Sequence, residues 1–250
     1  EVLNISSPSN GGKFIDCTFG GGGYCKEILK YSNTNVQALD RDKKALLVAN
    51  KLEKKFPDRF KFYQIKFSQL DTISCNNLDI AIFDLGLSSI QLKNFDRGFS
   101  FKSKEKLDMS MGLTSISAEK VINSFSEESL KSIIKILGEE KDASVIAKNI
   151  IKERLVKKIS KVDQLVTIIE KSKRKIYNSK INPSTKTFQA LRIFVNKEIS
   201  ELIFGLINAY KILPVGGMIV AISFHSIEDR IIKFFFKNFS QKVNLSRYIP

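Results

Sequence analysis

Histidine occurs once in the 250 residues, at His225, and cysteine three times, at Cys17, Cys25 and Cys75. A single imidazole excludes a metal centre built from several histidines. The cysteines stand 8 and 50 residues apart with no CxxC pair, which fits neither a zinc finger nor a disulfide framework and points to a reducing cytosol. Long apolar runs are lacking as well. The longest, residues 213–224, is interrupted by Pro214, Gly216 and Gly217 and falls far short of the roughly 20 residues that span a bilayer. No signal peptide is visible, and the first residue is Glu1 rather than Met. Acidic side chains are in deficit: 26 Asp and Glu face 41 Lys and Arg, a net charge of +15. Such a surface concentrates polyanions, which makes nucleic acid the first partner to consider. Because 33 of the 41 basic residues are Lys, an AT-rich coding sequence writing lysine onto an ordinary solvated surface stays open beside it.

What is present is ample apolar material, 43% of the chain, enough for one large or two modest cores. Short apolar runs at residues 13–18, 36–39, 60–65 and 78–84 alternate with amphipathic stretches at about 24–31 and 42–55, and a fifth run follows at 218–224. That alternation predicts a parallel sheet in a doubly wound α/β sandwich. Between residues 111 and 185 the pattern is helical throughout, with start signals at Ser117 and Ser126, and we read this stretch as an inserted all-helical subdomain. The flanking segments, 1–110 and 186–250, then form one discontinuous domain. A single long helix is expected from Thr187 to about Leu213, and a last one ends near Phe239. Residues 152–180 hold ten Lys or Arg against three acids, an excess of +7, so the insert is the candidate basic face.

The first strand empties through Asp16, Cys17, Thr18 and Phe19 into four glycines, Gly20 to Gly23, directly before a helix. Backbone without Cβ atoms and a helix N-terminus together suit a flat or anionic ligand. The dinucleotide fingerprint GxGxxG fails, since its third glycine would fall at Cys25. Asp40, ending the second strand 20 residues after Gly20, is placed to accept hydrogen bonds from ribose hydroxyls, with Asp42 a competitor and helix capping the plain alternative. The fourth strand delivers Asp84, with Ser88 and Ser89 just beyond, to the edge where open sheets bind ligands. Asp84 can orient a substrate amine. Phe67, after the third strand, can lie beside an adenine or simply fill a gap. His225, among Ser226, Glu228, Asp229 and Arg230, can touch RNA, help remove a proton, or serve structure only. A serine hydrolase finds no GxSxG elbow. A nucleotide-dependent oxidoreductase of NAD type and a non-catalytic RNA-binding module both stay open on these features.

Several segments together resemble one family. They are DCTFGGGGY at 16–24, LDRD at 39–42, DLGLSSIQL at 84–92, RGFSF at 97–101, LDMSM at 107–111, TFQALRI at 187–193 and SFHSIEDR at 223–230. In order and over nearly the whole chain they are similar to the RsmH (MraW) family of S-adenosylmethionine-dependent methyltransferases, which act on the exocyclic N4 of a cytosine in the decoding centre of 16S ribosomal RNA. The resemblance implies a Rossmann-like class I methyltransferase domain interrupted by a helical substrate-recognition domain, a cytoplasmic setting and a small ribosomal subunit as partner, with no metal. It implies cofactor contacts at Gly22, Gly23, Tyr24, Asp40, Phe67, Asp84 and Gln91. For direct methyl transfer to an exocyclic amine, which needs acceptors for its N–H bonds, the candidate catalytic residues are Asp84, Ser88 and His225. Lys171, Lys173, Arg174 and Lys175 are the candidate phosphate contacts. The chain departs from the family pattern at Gly21 for Arg and Tyr24 for His in the glycine turn, and at Ser110 for Arg after LDM. It also lacks the family's N-terminal HxPVLL stretch and its C-terminal portion, so truncation at both ends and an exposed sheet edge are expected.

Overall fold

The computed structural model describes residues 1–74, 77–88, 91, 95–173 and 182–240. Cys75, Ser89, Arg174 and Lys175 lie outside the described residues. Five parallel strands form one sheet: β1 (Gly12–Asp16), β2 (Thr34–Leu39), β3 (Phe60–Tyr63), β4 (Ile80–Asp84) and β5 (Met218–Ile222), in the order β3-β2-β1-β4-β5. The central strands β1 and β4 bury apolar side chains on both faces, as expected inside a parallel sheet, while β2 and β3 carry Asn35, Gln37 and Lys61 on one face. Phe14, Val36, Ala38, Ile80 and Ile82 pack on one face against α2 (Gly23–Ile28) and α3 (Leu46–Lys55). Their neighbours Ile15, Leu39, Ala81 and Phe83 pack on the other, against α9 (Glu198–Ile212) and α10 (Ser226–Ser240). Chain order reverses between β1 and β4, which puts a crevice at their C-terminal ends. A short helix, α1 (Val2–Ser6), precedes the sheet and has no counterpart in the sequence reading.

The helical stretch forms α4 (Ala118–Ser124), α5 (Glu127–Gly138), α6 (Ala143–Val156) and α7 (Val162–Ser172). The expected caps are in place: Ser117 Oγ accepts from the Lys120 amide and Ser126 Oγ from the Ser129 amide. Their shared core, with Ile122, Leu130, Ile146 and Leu165, also takes in Phe99, Leu107 and Met109 from before residue 111 and Phe188, Leu191 and Val195 from after 185.

The single helix expected from Thr187 to Leu213 is two. α8 (Thr185–Asn196) ends where Lys197 turns left-handed at φ 54°, and α9 starts at the next residue. Apolar spacing continues across the break because each half needs a buried face. α8 buries its face in the helical core and α9 in the sheet. β5 pairs only with β4 among the described strands. No helix among the described residues is long and apolar enough to cross a membrane.

Candidate active site

The crevice at the C-terminal ends of β1, β2 and β4 opens into a cavity of about 410 Å³ whose floor carries carboxylates. Asp16, at the end of β1, is buried beneath it; the Thr18 amide donates to Oδ1 at 3.0 Å and the Cys25 thiol to Oδ2 at 3.2 Å. Burial pushes its carboxyl up to about 6, with the charges of Asp40 and Asp84 adding to the rise. Burial raises the Cys25 thiol too. Asp40, ending β2, accepts the Gly20 amide on Oδ2 at 2.8 Å and the Asp42 amide on Oδ1 at 2.7 Å, and burial again pushes it up to about 6. The competition between Asp40 and Asp42 resolves by orientation. Asp42 turns away to cap the following turn through the Lys44 amide and to meet Arg97 and Gln91, while Asp40 lines the cleft.

Of the four glycines in the turn, Gly20, Gly21 and Gly23 line the cavity, and a Cβ at Gly23 would meet nothing within 4 Å. Gly22, expected to meet the cofactor, stands behind the cleft wall. Its φ is +70°, a Cβ would lie 2.9 Å from the Phe19 ring, and it is absent from the cleft wall. Gly22 is required by packing and by the entry into α2.

Asp84 hangs its carboxylate into the cleft from the end of β4, where its amide is fixed by donation to Thr18 Oγ1 at 2.7 Å. The Tyr24 hydroxyl stands near that carboxylate, and Asp84 Oδ1 is buried with no hydrogen-bond partner among the described residues. Burial raises the Asp84 carboxyl against the lowering effect of Tyr24; the Tyr24 phenol is itself raised by burial and by the charges of Asp84 and Asp16. Ser88 and Gln91 reach the cleft wall bonded to one another: the Ser88 amide donates to Gln91 Oε1 at 3.0 Å, and Gln91 Nε2 donates to Asp42 Oδ2 at 3.1 Å. Gln91 braces the loop with its amide, so a direct cofactor contact has to compete with those bonds. Phe67 lines the opening, edge-on to Phe83 with ring centroids 5.7 Å apart.

His225 is not brought to the cleft wall; its predecessor Phe224 is. The imidazole faces inward. Nδ1 accepts the Glu228 amide at 3.4 Å, and Nε2 lies 3.1 Å from Glu228 Oε1, off the line of a hydrogen bond. Glu198, His225 and Glu228 present ligand-type atoms within 4.8 Å of one another. Several of these atoms are already engaged. Both Glu198 oxygens are forked by Arg192 at 2.9 Å, and Nδ1 is an acceptor, which places the proton of a neutral ring on Nε2.

The family model of the MraW methylases matches residues 1–250. The ribosomal RNA small subunit methyltransferase H of Ehrlichia canis is 42% identical over 243 residues, covering 95% of this chain and 82% of its own. The proteins of the same name from Bartonella bacilliformis, 42% identical over 249 residues, and Rickettsia massiliae, 41% over 243, cover 100% and 97% of this chain and 75% and 79% of theirs. The chain belongs to the MraW methylase family.

Within this MraW methylase, four supporting residues escaped the sequence reading. Arg97, from the RGFSF segment, joins Asp42 to the Ser110 carbonyl. Asn196 bonds the Met111 amide and the Met109 carbonyl, each at 2.8 Å, and Arg41 donates to the carbonyls of Gly112 and Asn196. Gly205 of α9 stands where a Cβ would come within 2.5 Å of Phe67. The segments holding Arg41 and Arg97 were visible in the sequence, while Asn196 and Gly205 lie outside them, and the partners of all four, tens of residues distant, were not.

Proposed function

We propose that the chain transfers a methyl group from S-adenosylmethionine to the exocyclic N4 of a cytosine in small-subunit ribosomal RNA. Beyond family membership, the observation that carries this reading is the cleft itself: three carboxylates, Asp16, Asp40 and Asp84, gathered at adjacent strand ends with one oxygen of Asp84 buried and unsatisfied. Such a floor fits a cationic donor, and the open Gly23 leaves room for a ligand to approach the backbone. When bound, S-adenosylmethionine supplies an electrophilic methyl group on a sulfonium. Asp40 accepts from ribose hydroxyls with the lone pairs its two amide partners leave free. Phe67 offers a ring edge or face to adenine. The Asp84 carboxylate, with Tyr24 beside it, accepts an N–H of the target amine, keeps its lone pair in line with the methyl group, and takes the proton released. Ser88 lies near enough along the same wall to add a hydroxyl.

The helical stretch, residues 111–185 in the sequence reading, serves as the RNA-recognition unit, and a cytoplasmic setting follows from the substrate. Its phosphate contacts come from exposed lysines such as Lys152, Lys157, Lys161 and Lys171. Lys173 is withdrawn from that role, because its ammonium is tied to the buried Glu140 at 2.5 Å and to the Pro183 carbonyl. Radiolabelled methyl transfer to small ribosomal subunits tests the reading. Asp84→Ala is expected to lose transfer by at least a hundredfold (~10² or more, as for a removed acid-base group) while the far-ultraviolet spectrum stays native. Full residual activity removes Asp84 from the chemistry.

A further inference from the structure

Phe224 is a large apolar side chain with 71% of its surface exposed, and it belongs to none of the three cores. It also lines the cleft. Because Asp84 pairs with Ile222 in the β4–β5 ladder, Phe224 stands two residues beyond the partner of Asp84, level with Gly86. Its ring lies against that glycine, where a Cβ would approach Phe224 Cδ2 to 3.2 Å.

The backbone carrying this exposed ring is held from both sides. The Phe224 amide donates to Glu228 Oε2 at 3.3 Å, and Glu228, 2% exposed, is in turn packed on His225. Beyond them, the clamp of Arg192 on Glu198 closes the cluster. On the far side, Ser226 Oγ and Arg230 bond Glu139 at the end of α5, at 2.6 and 2.7 Å. Burying a carboxylate is costly unless its partners are fixed. Here the arrangement fixes a strand end whose ring faces outward beside Asp84.

We infer that Phe224 is the stacking platform for the unstacked target base, and that Glu228 and His225 are positioning residues that hold it there. The inference rests on the methyl-transfer reading above and assigns the base-facing wall of that same site. A single-stranded or extruded base finds a π-face on an aromatic side chain whatever its sequence context, and an aliphatic residue of similar bulk does not replace it. His225 then acts through Glu228 on Phe224, which accounts for an imidazole that does not reach the cleft.

The test compares Phe224→Leu with Phe224→Tyr in three measurements: steady-state methyl transfer to small ribosomal subunits, S-adenosylmethionine affinity by calorimetry, and quenching of a fluorescent cytosine analogue in a single-stranded RNA. Phe224→Leu is expected to raise KM for the RNA substrate by roughly tenfold to a hundredfold and abolish quenching, with cofactor affinity unchanged; Phe224→Tyr restores both. Glu228→Ala shifts KM in the same sense, and Glu228→Gln, which keeps an acceptor for the Phe224 amide, recovers it. A Phe224→Leu protein with wild-type KM and intact quenching overturns the assignment. If the wild-type chain binds the cofactor yet methylates no ribosomal RNA, the proposed function fails, and quenching alone decides whether Phe224 stacks a base.

Discussion

Asp16 is the least accessible of the three acids beneath the cleft, 1% exposed, and its carboxyl is pushed from 3.8 to about 6, chiefly by burial. Between those two pH values the folded chain keeps a proton that the unfolded chain has already released. Stability drawn from this group is therefore complete below about pH 4 and is lost as pH rises through 6, a change on the order of 3 kcal/mol. Asp16→Asn keeps an acceptor for the Thr18 amide and removes the charge. Urea unfolding of the ligand-free protein at pH 4.5 and 7.5 should show the wild type weakening with pH and the variant weakening less; equal slopes would contradict the assignment. Asp40 and Asp84 could be read from sequence as site residues because each ends an apolar run; Asp16 was legible only as a strand end, since no pattern tells that its carboxylate is buried beneath the cleft. His225 could be named but not oriented, since Glu198, one of the groups it faces, is 27 positions away, and no periodicity tells which way a ring turns at a strand end.

The elements were legible wherever one periodicity had one cause. Strand alternation and the caps at Ser117 and Ser126 each report a local requirement, and each matches the structure. The break at Lys197 was hidden because two helices with different partners wrote one uninterrupted apolar stripe. Gly205 shows what α9 does for the site. The helix crosses so close to the Phe67 turn that any side chain beyond hydrogen meets the Phe67 and Phe83 rings, at 2.5 and 3.2 Å. Gly205→Ala gains helix propensity, worth about 1 kcal/mol in isolation, yet must displace those rings, an overpacking cost of about 1–3 kcal/mol. The expected result is a protein no more stable than wild type that binds S-adenosylmethionine more weakly, because Phe67, the ring proposed to meet adenine, has moved. Thermal unfolding and calorimetry on the same preparation check both halves; unchanged affinity would mean that Phe67 yields without leaving the cofactor wall.

At the scale of the molecule, the helical core and the sheet are tied by the Arg97–Asp42 pair and by Asn196, whose carbonyl takes Arg41 from the end of β2, so basic side chains on α6 and α7 are carried on a frame continuous with the cleft. The bond of Glu139 to Arg230 adds little to that continuity, since its two side chains are 42% and 63% exposed. What the long-range organisation provides instead is a charge pattern. A net +15 binds any polyanion, so affinity for RNA cannot by itself distinguish a recognition surface from a solvated one. Salt dependence can. Each phosphate neutralised on a single strand contributes about −0.7 to the slope of log K against log salt. Replacing the exposed Lys152, Lys157, Lys161 and Lys171 with Gln should flatten that slope by up to about 3 if all four meet phosphates, and by nothing if they face only water. Lys173→Gln behaves differently. It strands the Glu140 carboxylate, 5% exposed, and should lower the unfolding midpoint without changing the slope. Unaltered S-adenosylmethionine affinity in the fourfold variant assigns any flattening to the RNA interface, and a slope equal to that of the wild type would move the interface off these two helices.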